Sequence, residues 1–436
     1  MFCCEHAGAS RSLFIQKSSV GQRSIVIARI LDGIRVLDLS QFLAGPHATL
    51  LLAGLGAEVI RIDNPKSGNV MADAPLYYGA QGASFEKRDD TDLGIAYLKR
   101  LRAKKSITID LKSEEGRELF VDLVRQSDIV VENFSVGVTE RLKIDWPSLQ
   151  SINPRLIYCS ITGYGATGPD STRRGYDVTT QAMSGLMSIT GLPGDAPTKA
   201  GSALADTISA VFALSGILGA LYHREFSKVG QFVDISMVDG LFSLIFDEPL
   251  DCYESLGLSF QQGNRVMRFS PFDTFPTRDG WFVLGCGTDA MWRGVCTVIG
   301  RDDLARHADW GRMSWRVSNN DQVSDLIRAW SIEIETSEAV ERFSAAGAVA
   351  SAVHSIEDLL RWPHLNARGM ITVVEHPTLG PLAGLKAAGF PLKFSAADTG
   401  YEGSAALTGS HTRAILKDLL GLDENRLDEL QTSGII

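Results

Sequence analysis

Two neighbouring stretches hold the residues whose types and spacing could do chemistry, Gly163-Tyr-Gly165-Ala-Thr-Gly168 and Gly175-Tyr-Asp177-Val-Thr-Thr-Gln181. The first has the spelling of a dinucleotide-binding loop, in which glycines bring backbone N–H groups up to a pyrophosphate. Pro169 follows its last glycine, however, and the run comes after a late strand and opens no helix. It therefore reads as a loop that turns tightly or lets a ligand approach its backbone, not as an NAD or FAD site. Asp177 has a plain structural reading, as N-cap of a helix running through Gln181 to Met187. A carboxylate at a helix N-terminus is also poised as a nucleophile, because the helix dipole and free N–H groups favour negative charge there and can stabilise charge on an acyl adduct.

Other chemistries lack their residues. There is no G-x-S-x-G elbow, P-loop lysine motif or H-E-x-x-H, and none of the eight histidines lies between His47 and His223. The six cysteines are scattered without a CxxC pair or a Cys/His cluster, so a metal site and a disulfide framework are not expected, and a reducing compartment fits. A net charge of -10 with no basic run excludes nucleic acid as a partner. The longest uncharged apolar stretch, Thr207 to Tyr222, is shorter than the roughly 20 residues a bilayer needs. It reads as a buried helix capped by Asp206, with no membrane partner. Residues 1–30 carry four Lys or Arg against one acid, which fits either an organelle transit peptide or an extension with no role.

The elements that must position these residues are regular from Leu31. Ile34–Leu39, Glu58–Ile62, Ser106–Leu111, Asp128–Glu132 and Leu156–Ile161 are strand-like, with helical runs between them such as Ala48–Leu55 and the one opened by Ser113-Glu-Glu. Repeated βαβ units predict an α/β fold, a large Rossmann-like domain over residues 31–195 with 410–436 returning to it. Short strands at Phe232–Ser236 and Trp281–Leu284, followed by mostly helical sequence from Asp302 to Ala345, predict a smaller α+β domain over 235–345. Residues 196–234 and 346–409 read as linkers, and His411–Ile436 as two short helices parted near Gly421.

Four regions in order resemble one family, the class III coenzyme A transferases, the group of formyl-CoA, carnitine and succinyl-CoA:glutarate CoA-transferases that also includes the α-methylacyl-CoA racemases. They are Leu31-Asp-Gly-Ile-Arg-Val-Leu-Asp-Leu with Leu43-Ala-Gly-Pro46 and Leu55–Ile62; Lys105–Leu111 with Val131-Glu-Asn-Phe134 and Asn153–Gly165; the stretch around Asp177; and Gly409-Ser-His-Thr412. The resemblance implies an acyl-CoA:carboxylate CoA-transferase in which Asp177 passes through an acyl anhydride and an aspartyl-CoA thioester. Its partners would be an acyl-CoA and a carboxylic acid acceptor. It would hold no permanent cofactor and no metal, coenzyme A being part of the substrate. The resemblance also implies an interlocked homodimer.

By the same likeness Gln41, Leu43 and Ala44 should bind CoA, with Lys104 and Lys105 near its phosphates. Gly163, Gly165 and Gly168 would form a substrate loop. Where formyl-CoA transferases carry a run of glycines this chain reads Gln261-Gln-Gly-Asn-Arg-Val-Met-Arg268, which makes Arg265 or Arg268 a partner for a second carboxylate. Asn64 stands where some members place an arginine near CoA. A racemase would pair the aspartate with an upstream histidine, and none lies between His47 and Asp177. A non-catalytic CoA-binding protein is the other alternative, which the aspartate argues against. The expected location is cytoplasmic, or mitochondrial if residues 1–30 are a transit peptide.

Overall fold

The structure, a computed structural model, describes residues 29–436. Six strands, β1 (Arg35–Asp38), β2 (Glu58–Asp63), β3 (Lys105–Thr108), β4 (Ile129–Glu132), β5 (Ile157–Thr162) and β6 (Phe232–Ser236), form one sheet in the order β3-β2-β1-β4-β5-β6, every pair parallel. That order reverses between β1 and β4, and in open parallel sheets ligands bind at such a switch point, beyond the carboxyl ends of the strands. The inner strands β1, β4 and β5 are almost wholly buried because both faces of the sheet are covered there. Val36, Ile129, Val131, Cys159 and Ile161 pack on one side under helices α1 (Ala44–Gly54) and α6 (Leu204–Ser227). Leu37, Ile60, Val130 and Tyr158 pack on the other, under α3 (Glu114–Arg125), with Leu416, Leu427 and Leu430 from the two C-terminal helices. Each such side chain, fully enclosed, contributes about 1.5–3 kcal/mol.

Local sequence explains the boundaries. Ser113 caps α3 by accepting a hydrogen bond from Gly116 N–H, and Glu114 and Glu115 fill its first turn. Gly421 takes a left-handed conformation where the first C-terminal helix stops, so the two predicted tail helices, Thr412–Leu420 and Glu424–Thr432, are present.

Residues 196–234 are no linker. They hold all of the 24-residue α6 and lead into β6, which pairs with β5 and completes the large sheet. A five-residue strand carries no local mark of which sheet it joins, so its assignment to the small domain fails on a pairing that is remote in sequence. Nor is 346–409 a plain connection, since Val349–Ala352 forms the third strand of the small antiparallel sheet with Phe272–Pro276 and Trp281–Gly285, and Ile371–His376 pairs with Gly380–Ala388 as a hairpin. The small domain has its own core around Phe275, Phe282, Trp292 and Phe343. Residues 1–28, where the targeting question lies, fall outside the described residues.

Candidate active site

Helix α5 (Asp177–Met183) starts one residue earlier than a cap at Asp177 would require: Tyr176 is the N-cap and Asp177 the first helical residue. The carboxylate of Asp177 serves a different helix. Its Oδ1 accepts from the backbone N–H groups of Ala205 (2.8 Å) and Asp206 (3.3 Å), in the first turn of α6. Its Oδ2 accepts from Gln181 Nε2 at 2.7 Å. Gln181 is fully enclosed and cannot turn its amide freely, because its Oε1 accepts from Ala200 N–H at 2.9 Å.

The expected cap of α6 is thereby corrected. The helix begins at Leu204, three residues before Thr207, and its free N–H groups are met by Asp177, while Asp206 lies inside its first turn. Burial first, and then the charge of Asp177, pushes the Asp206 carboxyl up to about 6, with Arg100 acting against the shift. Asp177 itself is half-buried.

The turn between β1 and α1 lies alongside. Phe42, at a positive φ of 65°, meets Tyr176 edge-on with ring centroids 6.2 Å apart, which joins Gln41, Leu43 and Ala44 to the segment carrying Asp177. Asn133, at the carboxyl end of β4, braces this turn by accepting from Gln41 N–H at 2.8 Å and donating to Gln41 O at 2.7 Å. The first part of the glycine loop is also here: a Cβ on Gly163 would stand 2.9 Å from Gly175 Cα, a backbone approach that only glycines permit. Gly165 N–H is spent on Thr162 Oγ1 (2.9 Å) and Ala166 N–H on the Asp234 carboxylate (3.0 Å), and Gly168 is exposed. The loop thus packs the Asp177 segment against β5, and two of its N–H groups are unavailable to a reacting oxygen.

Four predicted residues lie elsewhere or are already committed. Lys104 is wholly buried beneath α1, where its ammonium donates to Asp38 Oδ2 (3.0 Å), Pro46 O (2.8 Å) and Thr49 Oγ1 (2.7 Å). With three acceptors it has no donor left for a phosphate. Burial would raise the Asp38 carboxyl, but Lys104 and the Ser40 and Thr49 hydroxyls hold it below the ordinary carboxylate range. Lys105 opens β3 at the amino edge of the sheet, away from the carboxyl ends, and pairs with Glu58. Arg265 pairs with Asp273 (3.4 Å) and Asp321 (2.6 Å), and Arg268 with Glu248 (2.9 Å), so acids of the chain itself already occupy both.

What sequence reading missed is the set of groups holding Asp177. Gln181 stands in the motif but has no reason to be singled out until its amide is seen at Asp177. The N–H groups of Ala205 and Asp206 carry no side-chain signature at all.

The model of CoA-transferase family III matches residues 31–412. A succinyl-CoA:D-citramalate CoA-transferase of Chloroflexus aurantiacus is 34% identical over 410 residues, 94% of this chain and 98% of that protein. A succinate–glutarate CoA-transferase of Agrobacterium fabrum is 34% identical over 391 residues, 89% of this chain and 95% of its own. Among solved structures, that of a CaiB/BaiF family protein from Brucella suis superposes with a TM-score of 0.76 at 30% identity, covering 90% of this chain and all of that one.

Proposed function

Because the chain belongs to CoA-transferase family III, we propose that it moves coenzyme A from succinyl-CoA to a second dicarboxylic acid, with Asp177 as covalent nucleophile. The donor and acceptor classes rest on the substrates named for its relatives, which include succinyl-CoA, citramalate and glutarate. The observation that carries the chemistry is the half-buried Asp177 carboxylate held by Ala205 N–H, Asp206 N–H and Gln181 Nε2.

In the first step an Asp177 oxygen attacks the donor thioester carbon, and the C–S bond breaks to leave CoA thiolate and an aspartyl–acyl anhydride. The thiolate then attacks the aspartyl carbonyl carbon, forming an aspartyl-CoA thioester and releasing the donor carboxylate. An acceptor carboxylate attacks that thioester to give a new anhydride and free thiolate, which attacks the acceptor's acyl carbon and regenerates Asp177. No proton is gained or lost over the cycle, so no general base is needed. Attacks on the aspartyl carbonyl place negative charge on its oxygen, and the N–H groups that hold Oδ1 are set to receive it, backed by the α6 dipole. This gives the oxyanion role to the amino terminus of α6, with the glycine loop acting through packing.

The homodimer belongs to the same proposal. Val211, Tyr222 and Phe226 on α6, with Phe242 and Leu244 beyond β6, leave apolar side chains exposed on a single chain, which a second copy would cover. Sedimentation as a stable monomer would remove that part.

The test is a hydroxylamine quench after incubation with succinyl-CoA, followed by peptide mass mapping. A hydroxamate at Asp177 supports the mechanism. Transfer of CoA without that label, under conditions where a control thioester is trapped, overturns the covalent role.

A further inference from the structure

A cavity of about 500 Å³ adjoins the amino terminus of α6, between α1, helix α2 (Ile95–Arg100) and the Ile371–Ala388 hairpin. Leu43, Leu50 and Met370 make much of its wall apolar, while Lys99, Arg100, Arg102 and Lys386 set four cations in a lining that contains no carboxylate. Ser202, Ala203 and Thr207, which flank the residues holding Asp177, close the end nearest the nucleophile. The field there is positive: burial and then the charges of Lys104, Arg100 and Arg102 bring the His47 imidazole in the same cavity down to about 4.

These cations are not equivalent. Arg102 is committed, donating from Nε to Lys99 O (2.9 Å) and from Nη2 to Ala388 O (3.1 Å) and lying over the Tyr401 ring. Arg100 donates Nη1 to Phe42 O at 3.2 Å and approaches Met71 Sδ at 3.9 Å, and among the described residues its Nε and Nη2 have no acceptor and it has no ion pair. Its charge is nonetheless felt by Asp206, which also feels Asp177. A half-buried guanidinium with free donors, beside apolar walls and next to a nucleophile, matches a short carbon chain ending in a carboxylate. A hydrated diphosphate would favour a wholly polar lining.

Resting on the function proposed above, we infer that Arg100, supported by Lys386 across the cavity, binds the distal carboxylate of the dicarboxylic substrate and so selects dicarboxylic over monocarboxylic acids. The same chemistry has a second source of anion, the phosphates of CoA, and the experiment separates the two. In a double-displacement scheme, kcat/KM for the acceptor reports only the half-reaction that consumes aspartyl-CoA, whatever the donor. Glutarate and pentanoate, equal in chain length, are compared as acceptors, and succinyl-CoA is compared with its 3′-dephospho analogue as donor.

The wild type should prefer glutarate by about 100-fold or more. Arg100→Gln should reduce that preference by about tenfold or more and Arg100→Lys should retain most of it, with the dephospho-donor discrimination unchanged. Lys386→Gln, on a different element, should shift the preference the same way, so a misfolded Arg100 variant does not end the test. A preference that survives both neutral substitutions, or a loss confined to phosphate discrimination, overturns the inference. Equal use of both acids by the wild type defeats it alone, whereas failure to transfer CoA to any acid defeats the function beneath it.

Discussion

Asp177→Asn changes one atom pair in a way the structure makes asymmetric. The new Oδ1 keeps both N–H donors of α6, from Ala205 at 2.8 Å and Asp206 at 3.3 Å. The new Nδ2, however, faces Gln181 Nε2 across a 2.7 Å gap, donor against donor. Gln181 cannot relieve this by flipping, because its Oε1 would then leave Ala200 N–H and present a second donor to it. The loss of a charged hydrogen bond in an enclosed site costs about 1.5–3 kcal/mol, and loss of the anion at the α6 amino terminus adds about 0.5 kcal/mol. Relief of the like charge on Asp206 offsets part of this. The net expectation is a destabilisation of about 1–3 kcal/mol, read by calorimetry as a fall of a few degrees in Tm.

Turnover should fall by about four orders of magnitude, since no covalent route remains. Adding Gln181→Glu reverses the polarity: the carboxylate introduced at position 181 accepts both from the amide introduced at position 177 and from Ala200 N–H. The double variant should regain most of the lost stability and none of the activity. An Asp177→Asn enzyme keeping more than about one per cent of turnover would refute the nucleophile. A double variant no more stable than the single one would refute the role assigned to Gln181.

Glu132, buried at the end of β4, is pushed up to about 7 by that burial, against hydrogen bonds from Ser160 and Phe134 N–H. Below about pH 4.5 folded and unfolded chains both hold the proton; between there and 7 only the fold holds it, so stability falls as pH rises and levels off above 7. Glu132→Gln keeps the acceptor for Phe134 and should gain on the wild type by up to about 3 kcal/mol between about pH 4.5 and 8, and a pH-independent gap in urea midpoints would contradict this. Lys104→Met strands the Asp38 charge in the core and should cost about 3–5 kcal/mol, much of it restored by adding Asp38→Asn; a stable single variant that merely binds CoA less well would return Lys104 to the phosphates. Gly163→Ala must push the Gly175 backbone away and should lower turnover by about ten- to a hundredfold, whereas Gly168→Ala, with nothing within 4 Å of its Cβ, should cost only strain from its φ of +91° and leave turnover unchanged.

The division between what could and could not be read from this chain follows the range of the interactions. Strands such as Ile129–Glu132 declare themselves because burial on both faces demands an unbroken apolar run, and α3 because Ser113 and two acidic residues mark its start. β6, Phe-Val-Asp-Ile-Ser, is also mostly apolar, yet its membership is decided by Tyr158–Thr162, far upstream in sequence, and no local pattern encodes that partner.

The same rule governs the charges. Two adjacent lysines spell a solvated pair in any local reading, but the core beneath α1 contains the Asp38 carboxylate and needs a counter-charge, so Lys104 turns inward and Lys105 outward. Asp177 stands out as a candidate through its motif, while its placement depends on an N-terminus that α6 forms well downstream of it. A helix start with unmet N–H groups and a carboxylate with no partner of its own each lack what the other supplies. The fold joins them, and the helix start that receives the carboxylate borders the cavity lined by Arg100 and Lys386.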